Sequence, residues 1–379
     1  MILADVILLG RVSTKIKAGI PAHVLSIIQS LSHEEISFIN LVPSLDVPRN
    51  PLKLLGSTCR QINPKSLEIV CNSIFSYKTL ALSPSFFYSY FKLLNSFPRA
   101  VVHVHLPDPF SIAASLLCSK RKIVATFHAD LLNKGIFGLF YKMLLVLFAS
   151  KHNVVFVIPT PDHISGTSLK TLSKNPVVVP FIFSDTPLST SQAQLVQSSY
   201  SSDVTRFIFV GRHVPYKGIH IAIKAFMKLP KSILCEFVIV GQGPLTSSLR
   251  ELASTDERIL FKGLLSDSQL LQEYLRSNVF VLPSISKAEA FGIVQVEAML
   301  HHCLCLSSQL NNGVNFVNQD GVSGYSFPVS DIDFLSDLMY RLCTNKSHRN
   351  TLMRSAREHS LKTFASNDLC DSYLDLYRA

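Results

Sequence analysis

The 379-residue chain has no tryptophan, and its charged side chains make up 16% of residues against 47% hydrophobic. So apolar a composition excludes disorder as the main state. No window reaches 18 uninterrupted apolar residues, the length that marks a membrane-spanning helix. The nearest stretch, 136–149, is broken by Lys142. The N-terminus lacks the basic start of a secretion signal, and Asp5 interrupts its apolar run. None of the eight cysteines (59, 71, 118, 235, 303, 305, 343 and 370) forms a CxxC pair. Cys303 and Cys305 lie in an apolar run, which reads as buried reduced thiols and a cytoplasmic address.

Acidic residues are scarce in one half only. Residues 1–200 carry 18 basic and 9 acidic side chains, whereas 201–379 carry 18 and 17. A cationic half suits an anionic membrane face or a phosphorylated small molecule. Nucleic acid is not expected, since there is neither zinc-finger spacing nor a Lys/Arg-rich low-complexity tail.

What is present is alternation. Short apolar runs at 6–9, 36–42, 101–106, 123–127, 154–158 and 177–181 predict strands, followed by 207–210, 237–240, 259–261, 279–282 and 304–306. Between them 22–31, 110–117, 219–229 and 268–276 predict helices. Fully apolar strands separated by helices imply parallel sheets covered on both faces, and the pattern occurs twice. The fold class is therefore α/β, with two doubly wound domains facing across a cleft. A Ser/Thr/Gln-rich stretch at 185–204 reads as the linker between domains over 1–184 and 205–360, with a last helix over 361–379 that returns to the first domain.

Several motifs fall where strands end. Gly211-Arg212 and Lys217-Gly218 bracket a strand–helix turn, where a guanidinium fork and an ammonium suit a diphosphate. Gly241-Gln242-Gly243-Pro244 closes another strand with a turn open to an anion. After a strand ending at Pro283, a loop carries Glu289, and Gly292 opens a helix that holds Glu297. Eight residues of helix rise about 12 Å, too far for a shared-proton dyad but suited to the two ends of an elongated ligand. In the first half, Lys17-Ala18-Gly19 precedes a helix holding His23, and His128 ends a strand. His103 and His105 alternate along another strand, which places one in the core and one at the edge. No spacing of metal ligands is evident, so no metal is expected.

Joint occurrence changes the weight of these motifs. Gly211-Arg212, Lys217-Gly218, Gly241-Gln242-Gly243-Pro244 and Glu289-Ala-Phe-Gly-Ile-Val-Gln-Val-Glu297 resemble, in order and spacing, the family 4 glycosyltransferases, retaining enzymes of the GT-B fold. Similarity continues in Ala18-Gly19, His23, Val102-His-Val-His-Leu-Pro-Asp108 and Thr126-Phe-His128-Ala-Asp130. The resemblance implies that Arg212 and Lys217 bind the donor diphosphate and stabilise it as leaving group. Glu289 contacts the transferred sugar, Glu297 the ribose hydroxyls and His128 the region of the anomeric carbon. The backbone at Phe291, Gly292 and Ile293 meets the phosphates, Gly19, Gly241 and Gly243 line the donor, and Gly263, Leu264 and Leu265 meet the base. It also implies a hexose donor, GDP-mannose before UDP-sugars, a saccharide or lipid-linked acceptor, and no cofactor or obligatory metal. A non-catalytic binding partner in a glycan-assembly complex is the alternative from another class.

Two departures stand out. The usual glycine pair is Ala18-Gly19, and the glycine that ends the helix after Glu297 is replaced by His302, which implies a rebuilt helix end. Lys120, Arg121, Lys122, Lys134 and Lys151 around the apolar stretch 136–149 suggest a face that rests on anionic lipid.

Overall fold

In the computed structural model, residues 4–10, 13–14, 20–31, 34, 36–47, 56–77, 80–116, 121–128, 135–151, 153–161, 175–183, 203–365 and 367–378 are described. The chain forms two compact units. The first contains Met1–Asp185 together with Ala365–Ala379, and the second Thr186–Phe364. The boundary thus falls four residues beyond the expected 360/361. The linker at 185–204 lies almost wholly outside the described residues.

The first unit holds β1 (Val6–Leu9), β2 (Phe38–Pro43), β3 (Ser57–Asn63), β4 (Ser66–Cys71), β7 (Val101–Leu106), β8 (Ile123–Phe127), β9 (Val154–Ile158) and β10 (Val177–Val178), with a separate hairpin of β5 (Phe75–Tyr77) and β6 (Leu80–Leu82). Its sheet runs β10-β9-β8-β7-β1-β2-β4-β3, and among these pairings only β3–β4 is antiparallel. Alternation along each strand decides what covers each face. Ile7, Leu9, Val102 and Val104 pack against Phe86, Tyr90, Ile112, Leu145 and Phe148. Val6, Leu8, Val101 and Val124 pack against Ile27, Ile28, Leu369, Tyr373 and Tyr377. The helix Asn367–Arg378 therefore supplies part of the second cover of the sheet.

In the second unit β11 (Thr205–Val210), β12 (Cys235–Val240), β13 (Ile259–Gly263), β14 (Val279–Leu282), β15 (Leu304–Ser308) and β16 (Gly324–Phe327) form an all-parallel sheet. Its order β13-β12-β11-β14-β15-β16 reverses between β11 and β14. Ligands of doubly wound sheets bind outside the carboxyl ends of the strands at that reversal. In the first unit the reversal lies between β1 and β7.

Strands β3, β4, β5, β6 and β16 were not expected from sequence. β3 (STCRQIN) is largely exposed and polar, so no apolar run betrays it.

Candidate functional site

At the reversal point of the second unit, the turn after β11 meets the loop after β14. A 3-10 turn, Pro215–Lys217, ends in Gly218 at φ 62 and ψ 21. A Cβ on Gly218 would stand 2.0 Å from the Pro283 carbonyl oxygen, so only glycine lets the two loops come this close. The approach brings Lys217 Nζ to 2.5 Å from Glu289 Oε2. Ser284 Oγ donates to the same oxygen at 3.0 Å, and Asn312 Nδ2 donates to the Glu289 carbonyl at 2.7 Å. Lys217 and Glu289 are each only 8% exposed. A pair this buried persists only while both partners remain.

Arg212 lies in the same turn and is exposed. The neighbouring turn is drawn in through backbone contacts: His213 N donates to Gln242 O at 3.1 Å and Leu245 N to His213 O at 3.1 Å. This places Gly241 and Gly243 against Gly211 and His213. His213 is fully buried, meets Thr246 Oγ1 through Nδ1 at 2.9 Å, and is held below its ordinary pKa by burial and by Arg250.

Gly292 is the N-cap of the helix Ile293–Leu300, which has no side-chain cap. The first N–H groups of a helix lack intrahelical acceptors, and with the helix dipole they favour an anion. Phe291 is buried beneath this end. Glu297, half-buried on the helix, accepts from Tyr274 Oη at 3.2 Å. The Tyr274 ring stacks on His301 with centroids 5.8 Å apart. Gly263 ends β13 in a left-handed conformation, Leu264 is 74% exposed, and Leu265 follows half-buried.

The helix end differs from expectation. His302 keeps the left-handed conformation (φ 68) that glycine usually adopts there. Its N–H donates to Met299 O at 3.0 Å, and Cys303 N donates to Ala298 O at 2.9 Å. These are the two bonds of a Schellman cap, so the helix end is conserved in form and not rebuilt. The main reason to expect a non-catalytic relative is thereby weakened.

In the first unit His128 follows β8 and is 7% exposed. Its Nε2 lies 3.0 Å from His105 Nδ1. The expected split of His103 and His105 between core and edge is wrong. Residues i and i+2 of a strand share a face, and the two rings are 0% and 1% exposed and stack at 4.3 Å. His103 also meets Tyr377 Oη at 2.8 Å and Thr126 Oγ1 at 2.8 Å, while His23 Nε2 meets Tyr373 Oη at 3.0 Å. Burial lowers the pKa of His23 and His103 strongly and that of His105 to about 3. The rings are therefore neutral at ordinary pH.

Gly19 lies outside the described residues, as do Lys120 and Lys134. Arg121 donates to the Phe97 and Leu94 carbonyls, and Lys151 Nζ to the Ser115 and Leu116 carbonyls. Both cations thus cap helix ends and are not free for lipid. The helix Gly135–Ala149 buries Tyr141, Leu144, Leu145 and Phe148 yet exposes Leu139, Phe140, Met143, Val146 and Leu147. Among the described residues no helix is long and apolar enough to cross a membrane.

Tyr274, Ser284 and Asn312 escaped the sequence reading because they act through partners 23, 5 and 23 positions away. Ser284 beside Pro283 at a strand end was the only visible signal.

Residues 192–359 match the family of group 1 glycosyl transferases. The O-antigen chain mannosyltransferase C of Escherichia coli is 28% identical over 73% of this chain and 74% of its own. The D-rhamnosyltransferase WbpZ of Pseudomonas aeruginosa is 25% identical over 70% of both. Among solved structures, sucrose-phosphate synthase of Thermosynechococcus elongatus superposes with a TM-score of 0.78 at 18% identity, covering 99% of this chain and 98% of its own. Anabaena Alr3699/HepE in complex with UDP and glucose gives 0.72 at 14% identity, covering 98% of each. Twin doubly wound units and motifs gathered at the β11/β14 reversal agree with these likenesses: the fold is GT-B, and residues 192–359 match the group 1 glycosyl transferases.

Proposed function

We propose that the chain is a retaining hexosyltransferase that takes its sugar from a nucleotide donor, GDP-mannose first, and adds it to a saccharide or lipid-linked acceptor in cell-surface polysaccharide or lipopolysaccharide assembly. The observation that carries this reading is the buried Lys217–Glu289 pair at the β11/β14 reversal, in a chain similar over 73% of its length to an O-antigen chain mannosyltransferase.

The physical problem of such a transfer is the charge left on the departing diphosphate. Lys217 and Arg212 supply the opposing charge, and the free N–H groups after Gly292 supply dipoles. Glu289 contacts the transferred sugar. Glu297, oriented by Tyr274, takes the ribose hydroxyls. Gly241, Gly243, Gly263, Leu264 and Leu265 line the nucleotide, and His128 is assigned a contact with the sugar. Front-face attack, with the departing phosphate accepting the acceptor's proton, requires no protein base, and cationic side chains at the diphosphate make a divalent ion there dispensable.

Thermal shifts with GDP, UDP, ADP and dTDP at about 1 mM test the donor, since a ligand at 100 times its Kd adds about 2.7 kcal/mol. Selective stabilisation by GDP is expected, with transfer from GDP-mannose giving an α-linked product by NMR. Stabilisation by UDP alone would move the assignment to a UDP-sugar, the reading that the UDP-bound neighbour favours. Glu289→Ala should cut turnover strongly while nucleoside diphosphate binding stays nearly intact. Equal loss of both would refute the role given to Glu289.

The exposed stripe on Gly135–Ala149 supports a peripheral position at the cytoplasmic membrane face. With Arg121 and Lys151 capping helices, apolar insertion and not basic charge carries this attachment. Flotation with anionic vesicles should therefore survive moderate salt and be lost in Leu139→Glu/Met143→Glu. An unbound wild-type chain at low salt would sink the idea.

A further inference from the structure

We propose that His23, His105 and His128 form a binding site for a zinc-class divalent cation with an open fourth position. The three rings come from three elements, the helix Ile20–Ser30, β7 and the residue after β8. Each offers a ring nitrogen, and these atoms lie within 4.8 Å of one another. In a tetrahedral zinc site, Zn–N distances of about 2.0–2.1 Å set the nitrogens roughly 3.4 Å apart. His105 Nδ1 and His128 Nε2 already stand at 3.0 Å, so closure falls mainly to His23.

Two further observations point to a ligand. His23 Nδ1 is buried without a hydrogen-bond partner. Orphaned polar atoms in an interior are uncommon and call for an unseen water or ion. In addition, His23 carries the support usual for a metal-bound imidazole. Its other nitrogen meets Tyr373 Oη at 3.0 Å, which fixes the ring and leaves Nδ1 for a ligand. Neutral imidazoles without a thiolate or carboxylate suit Zn²⁺, Co²⁺ and Ni²⁺ better than Mg²⁺ or Ca²⁺.

His23 and His105 are 2% and 1% exposed and His128 7%, so His128 lies on the more accessible side. Three protein ligands leave the fourth position for water or a hydroxyl oxygen. The cation itself does not depend on the transfer reading. Only the identity of a sugar hydroxyl as fourth ligand rests on it.

The test is a titration of the chelator-treated full chain with Co²⁺, followed by visible absorption, and with Zn²⁺ by calorimetry. One equivalent with tetrahedral cobalt bands is expected, displaced by zinc, together with a rise in melting temperature. His23→Ala and His105→Ala should weaken binding at least about 100-fold, and Tyr373→Phe by about 10–100-fold. Tyr373→Phe removes only an oxygen and keeps the test valid should the alanine variants fail to fold. Absence of saturable binding below about 100 µM would overturn the proposal. So would stoichiometric binding that survives both His23→Ala and Tyr373→Phe, because ten of the chain's 13 histidines lie outside the site and can bind metal elsewhere.

Discussion

Both units wind helices around a largely parallel sheet, yet the polar clusters beside their reversal points are held together in different ways. The second unit buries an ion pair, Lys217–Glu289, whose partners stand on two turns brought together by Gly218. The first buries four imidazoles, two of them tied to hydroxyls of the last helix across 350 and 274 residues. The contrast sets what each tolerates. A buried charge depends on one partner, whereas neutral rings depend on a set of hydrogen bonds that can be lost one at a time.

The sharpest way to break this contrast is Lys217→Ala. It removes the cation assigned to the diphosphate and leaves the Glu289 carboxylate buried without it. A loss of about 3–5 kcal/mol is expected in denaturant unfolding, and about 10²–10³ in kcat. Lys217→Met/Glu289→Gln should recover most of the stability and none of the turnover. If the double variant stays as unstable as the single one, the ion pair is not what the second unit depends on.

Tyr377→Phe probes the first unit in the same way. His103 Nδ1 loses its 2.8 Å partner while the ring keeps Thr126 Oγ1. One unsatisfied buried nitrogen costs about 1–3 kcal/mol. Hydrogen exchange should show lowered protection in β1, β7 and the last helix, with the second unit unchanged. Loss of protection in both units would mean that the histidine cluster is not a property of the first unit alone.

This difference also governs what the sequence reveals. The second unit's motifs follow strand ends within short windows, so 211–218, 241–244 and 289–297 stood out through their joint order and the family resemblance it carries, and the structure brings Lys217 against Glu289. The strands around it were legible because they are fully apolar, as in CEFVIV at β12. The first unit's cluster was legible only as isolated histidines. Nothing local links His23 to Tyr373 or His103 to Tyr377, since those pairings arise only when the last helix covers the sheet. Exposed β3 was missed for a related reason: an edge strand needs little apolar surface.

His302→Gly offers the smallest and most specific probe. A side chain in the left-handed region costs about 1 kcal/mol, which glycine relieves, while the Schellman bonds remain. Against this stand the packing of a ring that is 5% exposed and the greater freedom of glycine in the unfolded chain. Because His302 Nε2 has no hydrogen-bond partner, that packing is worth less than usual. A gain of about 0.5–1 kcal/mol at pH 7 is expected. Acid adds a second signature. Burial first, then Arg357 and His301, pushes the His302 pKa down to about 4, whereas an unfolded histidine titrates near about 6.5. The folded state therefore binds fewer protons, so its stability is intact above about pH 6.5 and is lost as pH falls toward 4, by up to about 1.4 kcal/mol per pH unit. Glycine carries no such proton. The variant's advantage should thus widen to about 2.5–3 kcal/mol at pH 5 in urea unfolding. An advantage independent of pH would show that the ring is not buried in its neutral form, and a loss at pH 7 would show that its packing outweighs the strain of the cap.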